Sequence, residues 1–274
     1  MNSKIMLIGL GDLGSVTLEL LARQPNVEQI VVGSRSAARA QARCNLARLG
    51  AMAQGCAPNI RFVPLDLTDP QAAAATIARE QPDLIYSTAT LQTWWLPDKL
   101  PPPQAQRIYA AGFGVWLPVH LALTLKLMQA VRLADFSGPV LTAPFPDVVN
   151  PILNNLGLAP TCGVGNVDEI VPKVRRLAAQ ALDADADELR VWLVAHHAFQ
   201  PFAFGQKQGQ PPPHFLRVEW RGRDVTPQLA AQNVLFAPYP LTGGPATHFL
   251  TAGSTVRVIL ALLADAETFL HAPA

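Results

Sequence analysis

The residues best suited to proton chemistry lie in the second half of the chain. Asn166 and Asp168 follow Gly163 and Gly165 at the start of a helical pattern, VDEIVPKVRRLAAQAL, and a hydrophobic run, Val191 to Ala195, ends in His196 and His197. Adjacent side chains at a strand end point to opposite faces, so one of the two histidines is expected to face a cleft. Alternation along VWLVA does not say which; His197 is taken ahead of His196. An imidazole titrating near neutrality can pass a proton to or from a C=O or C–OH group, and a neighbouring carboxylate orients it and stabilises its charged form. Asp168 with one of these histidines is the expected catalytic pair. The plain alternative is a core imidazole satisfied by backbone groups beside a solvated neighbour.

Such a proton carrier needs an electron carrier, and the N-terminus supplies a place for one. Ile5 to Leu10 is a short hydrophobic strand that runs into Gly9-Leu10-Gly11-Asp12-Leu13-Gly14, a G-x-G-x-x-G spacing followed by the helical pattern VTLELLARQ and a second strand at Gln29 to Val32. Strand, glycine turn, helix and strand together define the dinucleotide-binding context. The first glycine permits the turn, the second admits a pyrophosphate, and the third lets helix and strand pack. The helix N-terminus then offers free N–H groups to the anion.

The end of the second strand decides between nucleotides. Ser34, Arg35 and Ser36 stand where an NAD site would carry an acid. A carboxylate would repel a 2′-phosphate, whereas a guanidinium can grip it, so NADP is expected ahead of NAD. A third strand, Phe62 to Leu65, precedes Asp66 at the expected adenine edge. A fourth, Asp83 to Ser87, leads into Ser87, Thr88 and Ala89 at the sheet's carboxyl end, where the nicotinamide-ribose would lie. Beyond it, Trp94 and Trp95 stand in LQTWWLPDKLPPPQAQR, residues 91–107, and are expected to close over an apolar part of the substrate or to anchor the loop. His120, on a helix expected from Trp116 to Ala130, reads as structural. Asn150 and Asn166 are candidate substrate-binding amides. Arg217, Arg221 and Arg223 fit either an anionic group or a solvated edge.

These pieces imply an α/β chain: a Rossmann-type doubly wound parallel sheet over residues 1–145, then an α+β catalytic and substrate domain over 146–274, with another strand expected past the end. Composition agrees with a folded globular chain, since half of the 274 residues are apolar and only 15% are charged. The net charge of +1 argues against a nucleic-acid binder that works by phosphate neutralisation. Three widely spaced cysteines form neither a disulfide framework nor a metal-ligand spacing, so no metal is expected. No unbroken apolar run reaches the roughly 18–20 residues that span a bilayer, which sets the expectation of a cytoplasmic protein acting on a small molecule.

The order of features resembles the lactate/malate dehydrogenase superfamily. GLGDLG is similar to its nucleotide fingerprint, PFPDVV to its N-P-V-D segment with Asp147 at the final acid, GVGNVDEI to the stretch bearing the catalytic aspartate, and the AHH strand end to that of the catalytic histidine. RFVPLDLTD and DLIYSTA also look like saccharopine- and opine-type reductases, which act on imines derived from amino acids. The resemblance implies hydride transfer between NADPH and a carbonyl or imine carbon with an Asp–His proton relay, in a homodimer or homotetramer. Departures bear on the substrate: the family's carboxylate-binding arginines are replaced by Val171 and by a tryptophan-bearing loop whose only arginine is Arg107. A bulkier, less acidic substrate follows. Two other readings compete, an inactive dinucleotide-binding sensor or partner protein and a nucleotide-assisted sugar-processing enzyme.

Overall fold

The computed structural model describes residues 3–242 and 244–273. Cα packing divides the chain into two compact units, the first running to Val164 and taking back Gly244–Thr268, the second starting at Gly165 and including Phe269–Pro273.

The first unit is a six-stranded parallel sheet with helices between the strands. Its strands are β1 (Ser3–Ile8), β2 (Val27–Ser34), β3 (Asn59–Pro64), β4 (Leu84–Ser87), β5 (Val140–Thr142) and β6 (Cys162–Gly163), and their spatial order is β3-β2-β1-β4-β5-β6. The intervening helices are α1 (Asp12–Leu21), α2 (Ala37–Met52), α3 (Pro70–Glu80), α4 (Pro102–Ala110), α5 (Leu117–Leu133) and α6 (Pro146–Asn155). Strand order reverses beside β1, which makes the carboxyl ends of β1 and β4 the switch point where such sheets bind ligands. Ile5, Met6, Leu7 and Ile8 are buried, as are Val31 and Val32. Runs buried on both faces are what a parallel strand covered by helices on each side requires. One face builds the core from Met6, Ile8, Ile77, Ile85, Leu127, Val149 and Leu153. Local chemistry sets the helix ends. Asp69 accepts the N–H of Ala72 at 3.0 Å with Pro70 at the first helical position, so α3 starts there.

The second unit holds α7 (Val167–Leu182), β7 (Leu189–Ala195), α8 (Gln200–Ala203), β8 (His214–Trp220), β9 (Arg223–Asp224) and α9 (Thr226–Ala231). Its sheet is antiparallel in the order β7-β8-β9, with Leu189 opposite Trp220 and Ala195 opposite His214. The β8–β9 turn falls on Arg221 and Gly222, both at positive φ (49° and 77°), the geometry of a tight hairpin. A last helix, α10 (His248–Leu263), returns to the first unit and packs on α1.

Three features differ from the sequence expectations. The first unit does not stop at residue 145: β6 adds an edge strand beyond it, too short to show an apolar period, and α10 comes back from the far end of the chain. The stretch 91–107 carries a 3-10 turn at Leu96–Lys99 and the start of α4, because its prolines fall at first-turn positions that start helices rather than break them. Finally, Gly114–Leu133 and Gly244–Leu263 are long and apolar enough on average to cross a membrane, although neither is an unbroken apolar run. Leu123, Leu127 and Met128 of α5 lie in the core of the first unit.

Candidate functional site

The glycine turn after β1 shows why each of its three glycines is there. Gly9 has φ +91°, and a Cβ on it would stand 2.8 Å from the Ala89 nitrogen and 2.9 Å from the Ala89 Cα. A Cβ on Gly14 would collide with the Gly9 carbonyl oxygen and lie 2.8 Å from Thr88 Oγ1. Gly11 is different: a Cβ there would meet no protein atom within 4 Å. Protein packing therefore dictates the first and third glycines, whereas the second keeps open a space that the protein itself does not fill. Gly11 also precedes α1 without any side-chain cap, so the first N–H groups of that helix, beginning at Asp12 and Leu13, remain available to an anion. The turn is tied down by the Thr88 hydroxyl donating to the Gly9 carbonyl at 2.9 Å and the Gly9 N–H donating to the Gly33 carbonyl at 3.0 Å. These features fit a pyrophosphate.

At the end of β2, Ser34 is half-buried while Arg35 and Ser36 are exposed. Ser36 precedes α2 and makes no cap bond, and the first turn of α2 carries no acid. A guanidinium beside an uncapped helix N-terminus is a favourable place for a phosphate. Asp66 follows β3 and accepts from the Thr68 N–H (2.9 Å) and hydroxyl (2.8 Å). These bonds, with a smaller contribution from the Arg35 charge, hold its carboxyl below the usual range. Asp66 therefore shapes the turn that follows β3. His248, at the start of α10, is buried, which pushes its pKa down, and the Asp12 carboxylate partly offsets that shift.

Past β4, Ser87 is buried and Thr88 and Ala89 brace the glycine turn. Trp94 is 41% exposed. Trp95 is half-buried, its indole N–H is sealed without an acceptor among the described residues, and the Lys99 ammonium lies 5.0 Å from its ring centroid. The pair thus divides: Trp95 is half-buried and Trp94 is exposed. Asn150 on α6 is buried and accepts the Thr142 hydroxyl at 2.9 Å, leaving its amide NH2 without an acceptor among the described residues.

In the second unit, Asp168 lies in the first turn of α7 and is 1% exposed. An imidazole beside it is that of His271, with Nδ1 at 3.9 Å from Oδ1. Nε2 of that ring accepts the Leu193 N–H at 3.1 Å. His196 is exposed, and its Nδ1 accepts the Ala198 N–H at 3.1 Å, capping a 3-10 turn. His197 is half-buried in that turn. Asn166 is buried at φ 56° just ahead of α7. Sequence reasoning missed His271 altogether; nothing near the end of the chain relates it to Asp168. It also missed Lys173, one helical turn beyond Asp168. Lys173 is buried and donates to the Ala203 and Leu235 carbonyls, and burial brings its pKa down to about 8. The candidate amides Asn150 and Asn166 fall in different units.

The fold and the glycine turn define a class, the dinucleotide-binding α/β fold of the dehydrogenases. Residues 5–90 match the family model described as the saccharopine dehydrogenase NADP binding domain. The whole chain is similar in fold to solved lactate and malate dehydrogenases. A lactate dehydrogenase from a Medee basin deep-sea metagenome library superposes with a TM-score of 0.68 at 14% identity, over 99% of this chain and 81% of that one. Malate dehydrogenase from Cryptosporidium parvum gives 0.65 at 14% identity, over 99% and 81%. Lactate dehydrogenase from Eimeria maxima, solved with NADH and oxamate, gives 0.64 at 10% identity, over 96% and 75%. No curated protein sequence matches the chain. Both resemblances read from the sequence, to the lactate/malate dehydrogenases and to the saccharopine-type nucleotide domain, are thus found.

Proposed function

We propose that the chain is an NADP-dependent oxidoreductase that moves hydride between NADPH and a carbonyl or imine carbon of a partly apolar small molecule. The observation that carries this is the glycine turn, where Gly9 and Gly14 are required by protein contacts and Gly11 by none. NADP rather than NAD is supported by Ser34-Arg35-Ser36 at the end of β2, ahead of an α2 whose first turn carries no acid. The matched family model points the same way, whereas the Eimeria structure was solved with NADH.

When bound, the nucleotide supplies the hydride; this chain's residues hold it and handle the proton. The free N–H groups at the start of α1 bind the pyrophosphate, and Arg35 pairs with the 2′-phosphate. The proton is assigned to His197 and not to His196, whose Nδ1 already caps a turn. Asp168, in the first turn of α7, is assigned to orient the imidazoles of its own unit. Trp94 contributes apolar surface toward the substrate.

The test is a pair of dissociation constants. Wild type binds NADPH more tightly than NADH, and Arg35→Ala weakens NADPH by about 10- to 100-fold while leaving NADH nearly unchanged. Equal affinities in the wild type would remove the NADP assignment.

A further inference from the structure

His120, read from the sequence as structural, sits at the carboxyl end of the sheet in the first unit. It is on the first turn of α5, and its ring touches two strand exits. Nδ1 lies 3.2 Å from Thr90 Oγ1, three residues past the end of β4. The ring also meets Phe145, just past the end of the adjacent strand β5, edge-on with centroids 6.2 Å apart. Phe145 has φ 47°, an unusual conformation for an aromatic residue, and such backbone strain gathers where a side chain must be held for a ligand.

The hydrogen bonds fix the tautomer. The single hydroxyl proton of Thr90 has two carbonyls nearer than the imidazole, Gln92 at 2.9 Å and Val119 at 3.0 Å. Toward His120 the hydroxyl can therefore only accept, which places the ring proton on Nδ1 and leaves a lone pair on Nε2. Burial works in the same direction, lowering the His120 pKa to about 4 and keeping the ring neutral. Nε2 has no bonding partner among the described residues and is not among the sealed polar atoms, so it opens to solvent. The result is an acceptor with fixed orientation and no protein donor.

Its position in the sheet names the ligand group. The 2′-phosphate side of the nucleotide is marked at the end of β2 and the pyrophosphate at the β1–α1 turn, so the remaining half extends toward the exits of β4 and β5. We propose that His120 is the hydrogen-bond acceptor for the nicotinamide carboxamide, with Nε2 taking an amide N–H, an inference that rests on the dinucleotide reading above. Thr90 acts as a positioning residue, since it fixes which ring nitrogen carries the proton.

Three probes separate the possibilities: NADP+, its 3-acetylpyridine analogue, in which a methyl ketone removes the amide donors, and 2′,5′-ADP, which lacks the nicotinamide half. Binding of each is measured calorimetrically to wild type, His120→Leu, His120→Gln and Thr90→Val. Wild type should prefer NADP+ over the analogue by about 3- to 10-fold. His120→Leu should abolish that preference while 2′,5′-ADP binds within about twofold of wild type, which also shows that the variant is folded. His120→Gln, which retains an acceptor oxygen, should keep part of the preference, and Thr90→Val should reduce it. An unchanged preference in His120→Leu overturns the proposal and moves the acceptor's partner to some other group, such as a substrate hydroxyl. Failure of wild type to bind 2′,5′-ADP, NADP+ and NAD+ alike would instead overturn the dinucleotide reading, and this inference with it.

Discussion

The glycine turn of the first unit and the Asp168 cluster of the second are built on opposite plans. The turn is made of residues close in sequence, Gly9 to Gly14, braced by Thr88 and Ala89, and its first and third glycines are dictated by backbone clearance. The cluster gathers groups scattered along the chain: the Asp168 carboxylate from α7, the Leu193 backbone N–H from β7 and the His271 ring from beyond α10, with Lys173 holding carbonyls of residues 203 and 235. Steric rules leave the first plan almost no freedom. Hydrogen-bond accounting governs the second, and many sequences can satisfy it.

The sharpest way to break that comparison is to add one methyl group at a time to the turn. Gly14→Ala forces a Cβ onto the Gly9 carbonyl and should cost about 1–3 kcal/mol of stability, a drop of several degrees in melting temperature, together with loss of NADPH binding by about 100-fold or more. Gly11→Ala should leave the melting temperature within about a degree, because no protein atom is near, and yet weaken NADPH binding. Thermal melts and titration calorimetry on both variants check this. If Gly11→Ala binds as well as wild type, the open space is not a ligand site.

In the second unit the largest effect is expected at Lys173. Lys173→Met leaves two carbonyls without their donor and should destabilise by about 1–3 kcal/mol, read by denaturant unfolding. The pH dependence carries a distinct signature. Folding lowers the Lys173 pKa from 10.5 to about 8, so between those values the unfolded chain holds more protons than the folded one. Stability from this residue accordingly rises with pH across that window. The difference between wild type and Lys173→Met should therefore grow from pH 8 to 10, and a constant difference would show that Lys173 is not buried as described.

A smaller effect is expected at His271. His271→Ala removes the acceptor of the Leu193 N–H and the imidazole beside Asp168, and should cost about 1–2 kcal/mol. Amide exchange at Leu193 should accelerate while exchange at Val31 and Val32, in the first unit, does not change. Faster exchange throughout the chain would mean that the two regions are not separable in this way.

The same contrast explains what the sequence revealed. The parallel sheet and the glycine turn were legible because each is announced by neighbours: apolar runs and glycine spacing. β6 was not, since Cys162–Gly163 is too short to carry a period. The placement of α10 on α1 and of His271 beside Asp168 was not either. Both depend on the path of the whole chain, to which no local pattern points. His120 was visible as a residue, but its meaning depends on Thr90 and Phe145, which only the sheet topology brings to one end.

The return of α10 to pack on α1 also has a consequence for synthesis. Helix α1, residues 12–21, leaves the ribosome well before its partner, which spans residues 248–263. At about 5–20 residues per second, the apolar side of α1 waits on the order of tens of seconds for its cover. Until then the nascent first unit presents the side of α1 that α10 will cover to whatever chaperone or neighbouring chain is at hand.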